Sequence, residues 1–400
     1  MAEAPGALDG IRVLDLASGS FGYAGRLLSG FGAEVVKVEP PDGDPVRSWP
    51  PFLDDEPHPE RGARHLHLGA GKRGITIDLE SEPGRRLLRR LVREADVLVE
   101  SFDPGYLAGL GLSYDDLLEE RPDLVMASVT HFGQDGPYAQ YRGAEIVSVA
   151  LGGYLKLTGD PDREPVKPYD DLTVGQAALH AAVAILSGIF HRDATGEGDL
   201  FDVSAVDAAL FLLGGPAQTY YFDDEVTMRT GTRLLHPNPR FPYPSTLRPC
   251  KDGYIHAHQN YRHPDLLAVL LEDPSVDDLM DMPMGNADEI DRRMDAWLAN
   301  HDKFEVVRRA QELRLPFTEV LTPVETVKDP HLEDRGFFLE VEHPEAGTVR
   351  QPGPAAFMTG SPWRSGRAPL LGEHNGEVLA DWLGLEGPEI AALRAEGALG

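Results

Sequence analysis

The first 135 residues alternate short branched apolar runs with helix-length amphipathic stretches, and that alternation leaves few folds open. Ile11-Arg-Val-Leu-Asp-Leu-Ala17 reads as a buried strand, and residues 24–31 read as a helix stopped near Gly32. Glu34 to Glu39 is a second strand, ended by Pro40-Pro41. Ile75 to Leu79 is a third, followed by a helix from about Glu82 to Glu94. Pro83 falls in the first turn of that helix, where its missing N–H removes no helical bond. Asp96 to Glu100 and Leu124 to Val129 complete the set. Strand and helix signals in alternation predict an α/β fold, with a mostly parallel sheet covered by helices on both faces. Ligands in such sheets bind beyond the carboxyl ends of the strands. Those ends are expected at 17–22, 40–44, 101–105 and 130–137.

At 400 residues the chain exceeds one small core and is expected to form two domains. Residues 1–210 and the return segment 326–400 would make a large domain. Residues 220–325 would make a smaller α+β domain, with Pro-rich turns from Pro237 to Pro244, a strand near Gly253 to Ala257 and helices near 263–271, 289–299 and 303–313. A strand at Phe337 to Glu342 and a short final helix read from the tail.

The net charge of −29 is a poor match to nucleic acid or an anionic membrane, which select basic surfaces. An anionic ligand would have to be held by local groups. The single cysteine, Cys250, allows no internal disulfide and no cysteine-based metal site, and no metal is expected. No apolar run approaches the roughly 20 residues of a membrane span. The first six residues show neither a basic region nor an apolar one, so the expected compartment is the cytoplasm.

Several local patterns fail as motifs. Gly69-Ala-Gly-Lys72 is close to the end of a P-loop, but Leu66 stands where the first glycine belongs and Arg73 where Ser or Thr belongs. His191-Arg-Asp193 lacks the downstream Asn of a kinase catalytic loop. Gly19, Gly22 and Gly25 are spaced three apart and do not make GxGxxG. What stands out is Asp171, where a Pro-rich turn feeds a long Ala-rich helix closing near Thr195-Gly196. A carboxylate at such a junction is either a plain helix cap or a nucleophile held at the positive end of the helix.

An ordered set of segments resembles the class III CoA-transferase family, the formyl-CoA transferase and carnitine CoA-transferase group. It comprises Leu8-Asp-Gly-Ile-Arg-Val-Leu-Asp-Leu16, Gly32-Ala-Glu-Val-Val-Lys-Val-Glu-Pro-Pro-Asp-Gly-Asp44 with Arg47, Lys72-Arg-Gly-Ile-Thr-Ile-Asp-Leu79 and Ala95-Asp-Val-Leu-Val-Glu-Ser-Phe-Asp-Pro-Gly105. It continues through Phe132-Gly-Gln-Asp-Gly-Pro137, Asp171-Leu-Thr-Val-Gly175, Arg192-Asp-Ala-Thr-Gly196 and Ala368-Pro-Leu-Leu-Gly-Glu-His374. The resemblance implies a Rossmann-like large domain, an interlocked homodimer, and CoA transfer between an acyl-CoA and a carboxylic acid. It makes Asp171 the nucleophile and puts Glu145 beside it. The chemistry is sound: an ionised carboxylate attacks a thioester without a general base. Acyl-aspartyl anhydride and aspartyl-CoA thioester intermediates would follow. No tightly bound cofactor is implied, only coenzyme A as a substrate.

By the same resemblance, the CoA site would draw on Gly19, Ser20, Pro40, Arg47, Leu68, Gly69, Lys72, Arg73, Ser101, Phe102, Asp103, Thr130, His131, Phe132 and Gly133. Lys37, Arg47, Lys72 and Arg73 are the candidate phosphate partners, each equally readable as a surface charge. The sequence departs from the family at Gly69-Ala-Gly71, Ser101 to Asp103, Ala108-Gly109 and Ser20 to Tyr23. A 2-methylacyl-CoA racemase is the alternative enzyme, disfavoured because Ala144 stands where its base histidine belongs. A non-catalytic subunit needing a homologous partner is the other alternative.

Overall fold

The structure, a computed structural model, describes residues 4–260, 262–354 and 356–400, so the first three residues of the amino-terminal stretch discussed above lie outside it. The chain divides into two compact units. The first holds residues 1–154, 168–215 and 331–400; the second holds 155–167 and 216–330.

The first unit is built on six parallel strands: β1 (Arg12–Leu16), β2 (Glu34–Glu39), β3 (Arg73–Thr76), β4 (Val97–Glu100), β5 (Val125–Thr130) and β6 (Asp199–Ser204). Their spatial order is 3-2-1-4-5-6. The strand order therefore reverses direction between β1 and β4, and the loops leaving these two strands diverge to open a crevice. The amide of Ser18, after β1, donates to Ser101 Oγ, after β4, at 2.8 Å, and so joins the two loops.

Strand β3 runs earlier than the expected 75–79. Its partner β2 ends at Glu39 before Pro40-Pro41, so the ladder has nothing to pair with past Thr76 except one bond from Ile77 N to Glu39 O at 2.8 Å. The sixth strand was not expected. Its sequence, Asp-Leu-Phe-Asp-Val-Ser, is polar because it lies at the sheet edge and is largely exposed over its first residues.

Seven helices matter here: α1 (Tyr23–Gly30), α2 (Ala63–Leu68), α3 (Glu82–Glu94), α4 (Glu145–Leu151), α5 (Leu172–Thr195), α6 (Ala205–Leu212) and α7 (Asn375–Leu383). Each sheet face has its own apolar layer. Leu14, Val36, Ile75 and Leu98 pack against α3 and α7 through Leu87, Leu88, Leu91 and Leu379. Val13, Val35, Val97 and Val125 point to the other face and meet the Ala177, Ala178, Ala181 and Ile185 stripe of α5. This period-two alternation along buried parallel strands explains their continuous apolar runs.

Helix α5 corrects one expectation. No apolar stretch near the length of a membrane span was expected, yet this 24-residue helix, though interrupted by Gln176, His180 and Ser187, reaches a mean hydropathy of 1.6 over a window long enough to cross a membrane. Half of that window is buried in the protein, and its alanine stripe packs on β-sheet residues, the pattern of a core helix.

The tail returns to the first unit as a hairpin, Phe338–His343 with Gly347–Pro352, and two helices. The second unit has a three-stranded antiparallel sheet, Ser245–Cys250, Gly253–His258 and Thr318–Glu319. Its core joins Ile255 and Ala257 to Ile290, Met294 and Leu298 of one helix and Val306 and Ala310 of another.

Candidate active site

Asp171 is the residue before α5, with its carbonyl accepting from Gly175 N at 2.9 Å. A short polar residue there would ordinarily turn its side chain back to cap the helix. Asp171 does not: its carboxylate makes no capping bond. Glu145 takes that role from α4. It is 8% exposed, and its carboxylate accepts from Thr173 N (3.0 and 3.1 Å), Thr173 Oγ1 (2.7 Å) and Val174 N (3.1 Å). Two of the orphan amides at the positive end of α5 are thus satisfied by a different acid, and the Asp171 carboxylate is not tied to its own helix.

Two groups hold that carboxylate. Ser20 Oγ donates to Asp171 Oδ2 at 2.5 Å, and Arg64 Nη1 donates to the same oxygen at 2.8 Å. Oδ1 takes no hydrogen bond among the described residues. Arg64 sits on α2, lies against the Trp49 ring, and sends its Nη2 to the neighbouring Asp170. Asp170 has a φ of +61°, an uncommon backbone for a residue other than glycine. Sequence reasoning missed Arg64, because Ala63-Arg-His-Leu-His-Leu68 contains no motif and only the fold carries it to Asp171.

The loop that presents Ser20 is pinned from below by buried ion pairs. Lys37 Nζ donates to Ala17 O at 2.5 Å and pairs with Asp44 at 2.9 Å; Asp44 Oδ1 accepts from Ser18 Oγ and Gly19 N, both at 3.3 Å. Lys72 Nζ donates to Asp15 Oδ2 at 2.6 Å and to Gly22 O at 2.8 Å, with both charges essentially inaccessible. A Cβ on Gly25 would stand 2.2 Å from Asp15 Oδ2 and 3.1 Å from Lys72 Nζ, which is why glycine occupies that point of α1.

Arg47 is spent in the same way: Nε and Nη2 go to Glu39, and Nη1 goes to Glu60 at 2.6 Å. Burial works against ionising Glu60, but its hydrogen bond from His65 and the Arg47 charge outweigh that and bring its pKa down to about 2. Arg73 lies at the amino end of β3, where Nη1 meets Glu34 at 2.6 Å and Nη2 meets Asp381 at 2.8 Å. Lys37, Arg47 and Lys72 are therefore internal cations of the loop scaffold, not solvated surface charges, and Arg73 faces acids at the opposite end of the strand.

Other expected residues do gather. Ser101, Phe102, Asp103, Thr130, His131 and Phe132 line one small cleft with Phe21 and Gly143. Thr130 Oγ1 accepts from Gly133 N at 2.9 Å, and His131 Nδ1 lies 2.8 Å from Ser148 Oγ. Burial pushes the His131 pKa down, against the pull of Glu145 and Asp171, so its ring is neutral near pH 7. Gly19, Leu68 and Gly69 surround a separate void of about 20 Å³, room for one water. Pro40 is exposed at the end of β2.

Beside these stands Glu100, the last residue of β4. It is 4% exposed and accepts from Ser128 Oγ and from Phe102 N (2.7 Å). Burial raises its pKa to about 7, with the two donors pulling the other way. Asp171 also borders a cavity of about 620 Å³ with Tyr23, Arg26, His67, Phe337 and Trp363. Among the described residues no cluster of His, Cys, Asp and Glu could hold a metal ion.

The profile of "CoA-transferase family III" matches residues 8–375. The succinyl-CoA:(R)-benzylsuccinate CoA-transferase subunit BbsE of Thauera aromatica is 32% identical, over 92% of this chain and 93% of that protein. The succinyl-CoA–D-citramalate CoA-transferase of Chloroflexus aurantiacus is also 32% identical, over 98% of each chain. The crystal structure of a CaiB/BaiF family protein from Brucella suis superposes with a TM-score of 0.84 at 28% identity, covering 95% of this chain and 100% of that one.

Proposed function

The chain belongs to CoA-transferase family III, and on that footing we propose that Asp171 is the nucleophile of a transfer of CoA from an acyl-CoA to a carboxylic acid. The single observation that carries this is the release of Asp171 from capping duty: an acid at a helix N-terminus that leaves the cap to Glu145 has a carboxylate available for chemistry. Oδ1, unbonded, attacks the thioester carbonyl; the C–S bond breaks and the CoA thiolate leaves, giving an acyl-aspartyl anhydride. Ser20 and Arg64 on Oδ2 hold the carboxylate in one rotamer as it approaches. The thiolate then attacks the aspartyl carbonyl, the first acid departs, and an aspartyl-CoA thioester remains. A second carboxylate attacks that thioester and carries its acyl group to CoA by the reverse steps.

Coenzyme A is the shared substrate, and its proposed place is beside the small cleft formed by Ser101 to Pro104 and Thr130 to Phe132, where these expected residues gather at the carboxyl ends of β4 and β5. The buried cations of the Ser20 loop do not supply phosphate partners, because their donors are already engaged. Succinyl-CoA appears in the names of both relatives and is the first donor to try.

The proposal includes a homodimer with interlocked chains. Its support is the outer face of α5, where Leu179, Val183, Leu186 and Phe190 recur at helical spacing and remain exposed, a contiguous apolar stripe of the kind that marks an interface. Light scattering of the purified protein tests it, and a monomer at working concentration contradicts it.

The deciding experiment is mass spectrometry of the full chain incubated with succinyl-CoA and a panel of dicarboxylates, with Asp171→Ala in parallel. New acyl-CoA products that disappear in the variant support the reading. Products that persist in the variant refute Asp171 as the nucleophile.

A further inference from the structure

Among the described residues, Arg64 is the cation that ion-pairs with the candidate nucleophile. Its guanidinium is planar, carries five donors, and is braced by the Trp49 ring, the arrangement suited to gripping carboxylates in a fixed orientation. Its side chain is about three-tenths exposed, so it is not sealed into the core. Its two Nη groups are divided between Asp171 and Asp170.

The reaction itself disturbs this arrangement. The inference rests on the reading of Asp171 as the nucleophile. When Asp171 becomes an anhydride or a thioester, its carboxylate charge is gone, and with it the ionic half of the bond to Arg64 Nη1. In the anhydride the released charge is on the CoA thiolate, and a new carboxylate appears next to Asp171 only when that thiolate cleaves the anhydride. As the thiolate forms its C–S bond to the aspartyl carbon, the anhydride C–O bond breaks and the first acid leaves with the electron pair as a carboxylate anion. In the second half the process runs in reverse: an incoming carboxylate must be held beside the aspartyl-CoA carbonyl before its oxygen attacks and the thiolate departs. One negative charge is displaced at each stage: it moves from Asp171 to the CoA thiolate in the anhydride, and from the thiolate to the free acid once the aspartyl-CoA thioester has formed.

We propose that Arg64 is a carboxylate relay: its Nη1 holds Asp171 while that carboxylate is free and passes to the carboxylate of the departing or entering acid while Asp171 is held as the CoA thioester. Asp170 keeps Nη2 throughout, so the guanidinium turns about a fixed point and is not lost to solvent. Arg64 thereby sets the requirement for an anionic acceptor over an alcohol or amine.

The relay is testable without knowing the natural acids. Asp171→Asn is neutral and nearly isosteric, so it imitates the acylated state and leaves Nη1 without its anion. Succinate is titrated calorimetrically into the full-length wild type, Asp171→Asn, Arg64→Gln and the double variant, with circular dichroism confirming that each is folded. The expected result is succinate binding at least tenfold tighter in Asp171→Asn than in the wild type, with that gain lost in the double variant. Arg64→Lys combined with Asp171→Asn, which keeps the charge and loses the fork, is expected to fall between. Equal binding with and without Asp171, equal binding with and without Arg64, or no saturable heat in any variant would each overturn the relay. The nucleophile reading is judged separately, by turnover of Asp171→Asn: CoA transfer persisting there sinks that reading, whereas the titration reports on Arg64 alone.

Discussion

Glu145 and Thr173 are joined three times over, with both glutamate oxygens receiving the Thr173 amide and one of them also receiving its hydroxyl. This contact decides what Asp171 can do. A helix start has several amides to satisfy, and whichever acid satisfies them is committed. Because α4 delivers Glu145 to that end of α5, Asp171 remains available two residues earlier.

Glu145→Ala should therefore damage both stability and activity. Removing a buried acceptor from two amides and a hydroxyl costs about 2–3 kcal/mol, and the freed helix end gives Asp171 something to cap. Thermal unfolding and turnover with succinyl-CoA check this. We expect kcat to fall by about 100-fold or more, with Glu145→Gln intermediate because its Oε1 still accepts one bond. A variant with lowered stability and unchanged turnover would show that the cap and the nucleophile are independent.

Ser20→Ala removes one donor from Asp171 Oδ2 and little else, since Ser20 is only partly buried. A hydrogen bond to a charged group is worth roughly 1.5–3 kcal/mol. With Arg64 still in place, the loss should appear as a decrease of about tenfold in kcat while the melting temperature stays near that of the wild type. Steady-state kinetics on the variant decide it, and an unchanged kcat would remove Ser20 from the mechanism.

Lys72→Met should unfold the protein readily, because Asp15 would be left charged and buried. Stranding one partner of a buried pair costs roughly 3–5 kcal/mol. The companion Asp15→Leu/Lys72→Met removes both charges and should recover a large part of that loss in a urea titration. A lysine whose task was to bind phosphate would show no such rescue, since removing Asp15 does nothing for a missing ligand contact.

Glu100 predicts a pH dependence. Its folded pKa is raised, from an ordinary value near 4.5 to about 7, by burial. A raised carboxyl pKa means that the neutral form is the one the fold favours. Its contribution is complete below about pH 4.5 and is lost as pH climbs through 7, because ionising the buried acid costs more in the folded state than in the unfolded one. Glu100→Gln should therefore flatten the decline in stability between pH 5 and pH 8.5, gaining on the order of 2–3 kcal/mol on the wild type at the upper end. Denaturation curves at five pH values would show it, and parallel profiles for the two proteins would refute it.

Much of this protein can be read from its residues in order. Branched runs such as Glu34–Glu39 and Leu124–Val129 can bury both faces only in a covered parallel sheet, so the strands, the helix at 82–94 and the crevice-lining loops follow from local pattern. Asp171 is also visible, as a carboxylate at the mouth of a long helix. What pattern cannot supply is the partner across the fold. Whether Asp171 caps its helix depends on Glu145, Arg64 reaches it from 107 positions away, and Lys72 meets Asp15 from 57 positions away. A lysine or arginine in a sequence looks the same whether it will face solvent, a phosphate or a buried acid. Only the tertiary packing determines that Arg47 is enclosed by Glu39 and Glu60, Lys72 by Asp15, and that Arg64 meets Asp171, because the energy of a charge depends on what surrounds it more than on its neighbours along the chain.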